Sequence, residues 1–234
     1  MGVSMRTILA YACLSLLVGA PAALSQERNY TLAVTGSFTT SSKLFYNIDD
    51  PNEIARNQYL SLSNVLGVGI DIRRRIEESG LAVGISVEYI SKLDDISESV
   101  SSTAIAAVKD GFVVVPIEAT GYFTIPFSSE RAQMYMGGGA GIYLGARHYQ
   151  YSTDSARVID QKPGYGIHIL TGFCYRISPV IGLRSELKFR DVQFQSTNVF
   201  LPSYVSLPAP NYQPFSSRIN IDGMTLTVGL AAFF

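Results

Sequence analysis

The chain has 234 residues, a formal net charge of -1 at pH 7, and charged residues at only 16% of the total. That balance excludes the strong basic surface expected of a protein that binds nucleic acid. Twenty glycines, 14 tyrosines and 12 phenylalanines suit a chain rich in β-strands.

Residues 1–25 read as a cleaved secretory signal peptide. They carry a single charge, Arg6, then an apolar run from Ile8 to Ala20, and small residues at Ala23 and Ser25 ahead of Gln26. The apolar run is shorter than the roughly 20 residues a helical span needs. Cleavage leaves residues 26–234 as one domain. Cys13 departs with the leader, and Cys174 alone cannot form an intramolecular disulfide. No later stretch reaches 18 apolar residues, so there is no helical span. A mature chain that lives in a membrane must then do so as a closed barrel, the other way to satisfy every backbone polar group in lipid.

Eight segments alternate with period two, which places successive side chains on opposite faces of a strand. The first, residues 30–39, sets Leu32, Val34 and Phe38 against Thr35, Ser37 and Thr39. The second, 59–74, sets Leu60, Leu62, Leu66, Val68, Ile70 and Ile72 against Ser61, Ser63, Gly67, Gly69, Asp71 and Arg73. The third, 81–91, sets Val83, Ile85, Val87 and Tyr89 against Ala82, Gly84, Ser86 and Glu88. The fourth, 112–127, sets Ile117, Phe123 and Ile125 against Glu118, Thr120 and Tyr122. The fifth, 132–150, sets Met134, Met136, Ile142 and Leu144 against Tyr135, Gly137, Gly139, Gly141, Tyr143 and Arg147. The sixth, 165–177, sets Ile167, Ile169, Phe173 and Tyr175 against His168, Gly172, Cys174 and Arg176. The seventh, 180–194, sets Ile181, Leu183, Leu187 and Phe189 against Gly182, Arg184, Glu186, Lys188 and Arg190. The eighth, 224–234, is apolar at every even position and ends on Phe234.

Connections between segments alternate in length. Tight turns at 77–80, 128–131 and 178–179 join the second to the third, the fourth to the fifth and the sixth to the seventh. Long polar or Pro-rich segments join the others. This rhythm predicts an all-β, eight-stranded, antiparallel up-and-down transmembrane barrel, with short periplasmic turns and long extracellular loops. Pro116 and Pro126 fall within the fourth segment, where each removes a ladder donor. Pro126 is expected at the periplasmic rim, and Pro116 above the membrane or beside a bulge. Asn64 and Ser185 lie on the nominal lipid face, which predicts local slips of register.

A cation facing lipid at the bilayer midplane costs roughly 2–4 kcal/mol. The charged residues share a face with Gly, Ser and Thr, so that face is the interior. Asp71, Arg73, Glu88, Glu118, Arg147, Arg176, Arg184, Glu186 and Lys188 form the predicted interior network, with Glu88 and Glu118 meeting Lys188 and Arg184 across the lumen. An eight-stranded barrel is only wide enough for side chains to fill. A soluble lipocalin-like barrel would carry the opposite pattern.

The leader, the eight segments, the interior charges and the final Leu226-Thr-Val-Gly-Leu-Ala-Ala-Phe-Phe234 resemble the small outer-membrane β-barrels of the OmpA/OmpX type, a porin-family architecture. The resemblance covers residues 26–234 and concerns architecture, without a peptidoglycan-binding domain. It implies placement in a Gram-negative outer membrane, with membrane lipids and lipopolysaccharide as surroundings. It also implies that Leu226, Val228, Leu230, Ala232 and Phe234 are an assembly signal read by the barrel-assembly machinery. Function does not follow from the fold.

Candidate chemistry is sparse. Gly137-Gly-Gly-Ala-Gly141 lacks the Lys-Ser/Thr of a phosphate loop and reads as packing that makes room for Tyr135 and Tyr143. His148 stands near Ser152 and Asp154 at the outer rim, an arrangement that lipid A-modifying barrels use, but it reads as the start of a solvated loop. His168 reads as an interior or rim polar group, and no metal cluster forms around Cys174. Asp49-Asp-Pro-Asn-Glu53 lacks the glycine and spacing of an EF-hand and reads as an acidic loop. Residues 103–108 are expected as a short helix. In the last loop, Phe200, Tyr204, Tyr212 and Phe215 stand among prolines and are the contact residues expected for a surface partner.

The resulting expectation is a monomeric, non-enzymatic outer-membrane barrel without cofactor or metal. Its interior is filled by side chains, and its loops serve surface interaction or envelope integrity. Two alternatives remain beside it. One is a narrow pore for small solutes or apolar compounds, and the other is a lipid A-modifying enzyme.

Overall fold

A computed structural model describes residues 29–76, 79–101, 104–126, 129, 131–151, 154–200 and 213–234. The proposed leader lies outside these residues, as do Tyr204, Tyr212 and Ser152. The strands are β1 (Tyr30–Phe45), β2 (Tyr59–Ile76), β3 (Leu81–Ser101), β4 (Ala104–Thr124), β5 (Ala132–Tyr151), β6 (Asp154–Ser155), β7 (Arg157–Lys162), β8 (Gly164–Arg176), β9 (Ile181–Val199), β10 (Phe215–Ile221) and β11 (Met224–Phe233). One short helix, α1 (Glu53–Arg56), interrupts the β1–β2 connection.

Eight strands close a ring in the order β1, β2, β3, β4, β5, β8, β9, β11 and back to β1, every neighbour antiparallel. The seam runs from Thr31 opposite Phe233 to Thr39 opposite Thr225. Within the belt closure leaves no edge strand, which is what lets such a sheet stand with an apolar exterior.

Around the turn end the faces follow the sequence alternation. Leu66, Val68, Ile70, Ile85, Ile117, Ile167, Leu183 and Leu226 are exposed on the outside. Asp71, Arg73, Glu88, Glu118, His168, Arg184, Glu186 and Lys188 are buried inside. Gly80, at φ 68°, supplies the left-handed residue of the β2–β3 turn, a conformation that costs glycine nothing.

Toward the loop end this arrangement inverts. On β9 the inward residues pass from Lys188 and Arg190 to Val192 and Phe194, while the outward ones pass from Leu187 and Phe189 to Asp191 and Gln193. The loop-end interior is an apolar cluster that includes Leu44, Leu62, Ile90, Phe112, Tyr143, Phe194 and Ile219. The molecule thus carries an apolar belt around a polar interior, continued by an extension with the ordinary apolar-in, polar-out pattern of a water-facing sheet.

Asn64 marks this change on β2. It has φ 58°, a left-handed conformation that asparagine tolerates better than most residues. Below it Val65 is buried and Leu66 exposed; above it Leu62 is buried and Ser61 and Ser63 are exposed, which corrects their predicted faces, because the left-handed Asn64 reverses the parity of the strand. β1 changes parity at the same level, so the pairing register of the two strands is unchanged. On the other side of β1, one extra residue near Asp222 and Gly223 shifts the register between β10 and β11. Ser185, by contrast, is simply an outward serine, because β9 keeps one register with β8 and β11 on either side of it.

Several expectations are corrected. Ala104–Val108 is strand, not helix, because β3 and β4 continue as a paired hairpin to Ser101 opposite Ala104. β1, β3, β4 and β9 run several residues beyond their predicted loop-side ends, and β2 and β5 run past a predicted end by one or two residues. β4 ends at Thr124, which leaves Pro126 in the turn. Pro116 lies within β4 and beside no bulge. It is paired with Tyr143 of β5, while toward β3 the ladder breaks between Val87–Ile117 and Ile90–Val114 and resumes in the same register.

Candidate functional site: an interior ion-pair network

β2, β3, β4 and β9 bring four carboxylates and four cations to the centre of the ring. Period-two alternation aims all eight inward, and burial forces each to find a partner. Two layers result. Nearer the turns, Arg73 Nε donates to Asp71 Oδ1 at 2.8 Å and to Oδ2 at 3.1 Å. The Arg184 guanidinium also pairs with Asp71, and Arg73 reaches across to Glu186. Tyr135 donates to Glu186 at 2.6 Å and Tyr122 to Asp71 at 3.2 Å. The Arg73 guanidinium also sits 3.8 Å from the centre of the Tyr122 ring, a cation–π contact between buried side chains.

In the second layer Lys188 Nζ donates to Glu118 at 2.6 Å and to Glu88 at 3.0 Å. Arg190 pairs with Glu88, and its Nε lies 3.0 Å from Glu118 Oε1. Tyr143 donates to that same oxygen at 2.6 Å. His168 is inside, with Nε2 2.9 Å from Thr120 Oγ1 and Nδ1 3.9 Å from Glu118. Between the layers lies a space of about 10 Å³, bounded by Asp71, Arg73, Glu88, Glu186 and Lys188 among others. That is about one water in size.

Glycines set how closely these side chains approach the wall. A Cβ on Gly141 would lie 2.8 Å from the Glu118 side chain, and one on Gly172 only 2.4 Å from the Tyr135 ring. A Cβ on Gly137 would lie 3.1 Å from the Tyr122 ring. The run Gly137–Gly141 is therefore a packing surface, but it serves Tyr122 and Glu118. The room for Tyr135 comes from Gly172 on β8.

Above the apolar cluster a third polar group closes the loop end. Arg147 donates to Asp110 through Nε at 2.8 Å and Nη2 at 2.6 Å, and to Ser217 at 2.9 Å. Its carbonyl accepts from Asn198 at 3.1 Å. Tyr149, Phe200 and Phe215 pack on one another with ring centres 5.7–6.0 Å apart, and Tyr149 and Phe215 also flank the Arg147 guanidinium. On the outside of the extension Lys43 donates to Asp222 at 2.7 Å, and that hydrogen bond raises the pKa of its ammonium.

Glu88 and Glu118 meet Lys188 as the sequence predicts, but Arg184 does not join them: it pairs with Asp71, one layer nearer the turns. Arg147 has a separate partner, Asp110, and Arg176 sits over the Phe233 ring at 4.8 Å. Arg190 belongs to the second layer. Its parity with Lys188 is visible in the sequence, although the predicted network omits it. Asp110 falls in a predicted loop, and no local signal marks its turn inward. Phe200 and Phe215 are packed at the loop end, Phe200 being buried. Leu226, Val228 and Leu230 face outward on β11, with Ala232 and Phe234 on the same parity.

His148 is exposed on the outer side of β5. Asp154 pairs with Tyr151 at the start of the next connection. Among the described residues no group of His, Cys, Asp and Glu could hold a metal ion. The segment 49–53 folds as a turn leading into α1, where Asn52 caps the helix by accepting from Ile54 N at 3.0 Å.

No protein-family model matches the chain, and no curated protein matches it in sequence. Solved structures do resemble it. The outer membrane protein OprG from Pseudomonas aeruginosa aligns with a TM-score of 0.59 at 10% identity, over 89% of this chain and 97% of that one. Neisserial surface protein A aligns with a TM-score of 0.48 at 12% identity, over 88% and 97% of the two chains. Ail, the attachment invasion locus protein of Yersinia pestis, gives 0.46 at 13% identity, over 89% and 100%. With the closed ring, the apolar belt and the polar interior, the likeness to OprG establishes that this chain has the fold of a small eight-stranded outer-membrane β-barrel.

Proposed function

We propose that the protein is an integral barrel of a Gram-negative outer membrane, non-enzymatic and plugged by its own side chains. The observation that carries this reading is the interior network: four carboxylates and four cations, mutually paired and backed by tyrosines, inside a belt of exposed aliphatic residues. Fold likeness to OprG, an outer membrane protein, supports the placement. The turn end then faces the periplasm, and the extension with its apolar core stands outside the cell. Its role is surface interaction or envelope integrity, with Phe200 and Phe215 fixing the base of the last loop. Export uses the leader at residues 1–25, and insertion uses the outward residues of β11 as the signal to the assembly machinery. Fractionation of cells expressing the full chain, followed by gels of boiled and unboiled samples, tests the placement. A folded barrel enriched in the outer membrane migrates differently before and after boiling. Recovery in the soluble fraction would refute the placement.

One observation favours the pore alternative. The β3–β4 ladder is interrupted opposite Pro116, which weakens the wall just where Glu88 and Tyr89 stand. The apolar cluster packed above that level speaks against an axial path. For the enzyme alternative, His148 is the only rim histidine, and it points outward. His148→Ala is expected to leave the lipid A of expressing cells unchanged by mass spectrometry. Loss of a modified lipid A species in that variant would establish the enzyme.

A further inference from the structure

The outer wall is not uniformly ridged. On β4 and β5, Ala119 lies directly opposite Ala140, and Gly121 directly opposite Gly138. All four belong to the outward parity, so the wall there falls almost to backbone level. The ends of this depression are the cross-strand pairs Ile117–Ile142 and Phe123–Met136, and Val83, Ile85, Ile167 and Ile169 flank it from β3 and β8. Three shallow hollows of about 570, 590 and 630 Å³ adjoin there, the first sharing Val83 and Gly121 with the second and Ile85 and Ala119 with the third, and together they form a groove. Interior packing does not require glycine at 121, since a Cβ there would meet nothing nearer than a carbonyl oxygen at 3.9 Å. Glycine within a strand weakens it, so the hollow is kept at some expense to the sheet.

Arg74 and Tyr30 line the turn-end margin of the same groove. Arg74 is exposed and makes no ion pair among the described residues; its guanidinium lies 5.7 Å from the Tyr30 ring centre. An apolar trough that ends at an exposed cation and an aromatic ring matches a lipid whose phosphate sits at the membrane interface. We propose that this groove seats an acyl chain of an anionic glycerophospholipid of the periplasmic leaflet, with its phosphate against Arg74. A second copy of the chain fits less well. In a two-fold contact each subunit presents the same patch, so hollow would meet hollow. The inference rests on the proposed placement, with the turn end at the periplasmic leaflet; lipid retention in micelles is read independently of that orientation, whereas cell fractionation tests the placement itself.

The test is native mass spectrometry of the refolded full-length barrel, released from micelles that hold equal phosphatidylglycerol and phosphatidylcholine. The parent protein is expected to retain phosphatidylglycerol about fivefold over phosphatidylcholine, and Arg74→Gln to lose that preference. Gly121→Leu and Ala140→Leu, which fill the groove, lower retention of both lipids. A boiling-dependent gel shift shows which variants are folded, and either leucine variant suffices. Equal retention of the two lipids by the parent protein overturns the proposal, as does retention unchanged in a folded leucine variant. A concentration-dependent dimer dissolved by Gly121→Leu also overturns it, by assigning the groove to a second copy.

Discussion

Replacing Lys188 by Met destabilises the folded barrel by about 3–5 kcal/mol, the usual consequence of removing one partner from a buried ion pair. Lys188 Nζ bridges Glu118 at 2.6 Å and Glu88 at 3.0 Å, and its side chain is 5% exposed. Without it, two buried carboxylates are left with Arg190 as the only permanent cation between them, beside the Tyr143 hydroxyl on Glu118. Reversible urea unfolding in lipid vesicles reads the effect as a lowered midpoint. The double variant Lys188→Met, Glu118→Gln removes one charge of each sign and recovers most of the loss, so the two substitutions are not additive. If the single variant is as stable as the parent, the layer is hydrated and not packed. Glu88 and Glu118 would then line a wet lumen.

Phe194→Ala is the second large effect, about 3–5 kcal/mol for truncating a fully buried aromatic ring. Phe194 is 1% exposed and packs edge-on to Phe112 at 6.2 Å between centres. Gly145 leaves it space: a Cβ there would lie 2.5 Å from the ring. The residue belongs to the loop-end cluster, beyond the apolar belt, so its cost reports whether the extension is a packed domain in its own right. Phe189→Ala, on the same strand but facing outward, serves as the comparison and costs less. Equal effects of the two would mean that the extension has no packed core.

The belt was legible because one rule governs it. Charged and small residues alternate with aliphatic ones on every strand, and the cost of a charge in lipid decides which set is inside. Glu88, Glu118 and Lys188 could be placed together from parity and strand order alone. Arg184 could not, because strand order says which walls face each other but not at what height. Two turns of the alternation separate it from Lys188, and that places it with Asp71 and Glu186 instead. The extension was hidden for a different reason. There the hydrophobic pattern reverses, so Leu62, Val192 and Phe194 lie on the interior face while polar residues turn outward. Read with the rule for the belt, Leu62 falls on the lipid face, and the stretches beyond the predicted strand ends resemble polar loops. Asn64 is the residue at which the two rules meet on β2, and its left-handed backbone is the physical form of the apparent slip of register.

The interior network also limits what the barrel can admit. Asp71, Glu88, Glu118 and Glu186 are matched by Arg73, Arg184, Lys188 and Arg190, and the Arg147–Asp110 pair closes the far end. Passage of an ion along the axis would have to part these pairs in turn and then displace the apolar cluster above them. The most direct measurement is single-channel recording of the purified, refolded full-length protein in a planar bilayer. A side-chain-filled barrel gives a quiet baseline, with no steady conductance steps. Reproducible, long-lived openings of uniform size would contradict it and make the protein a pore.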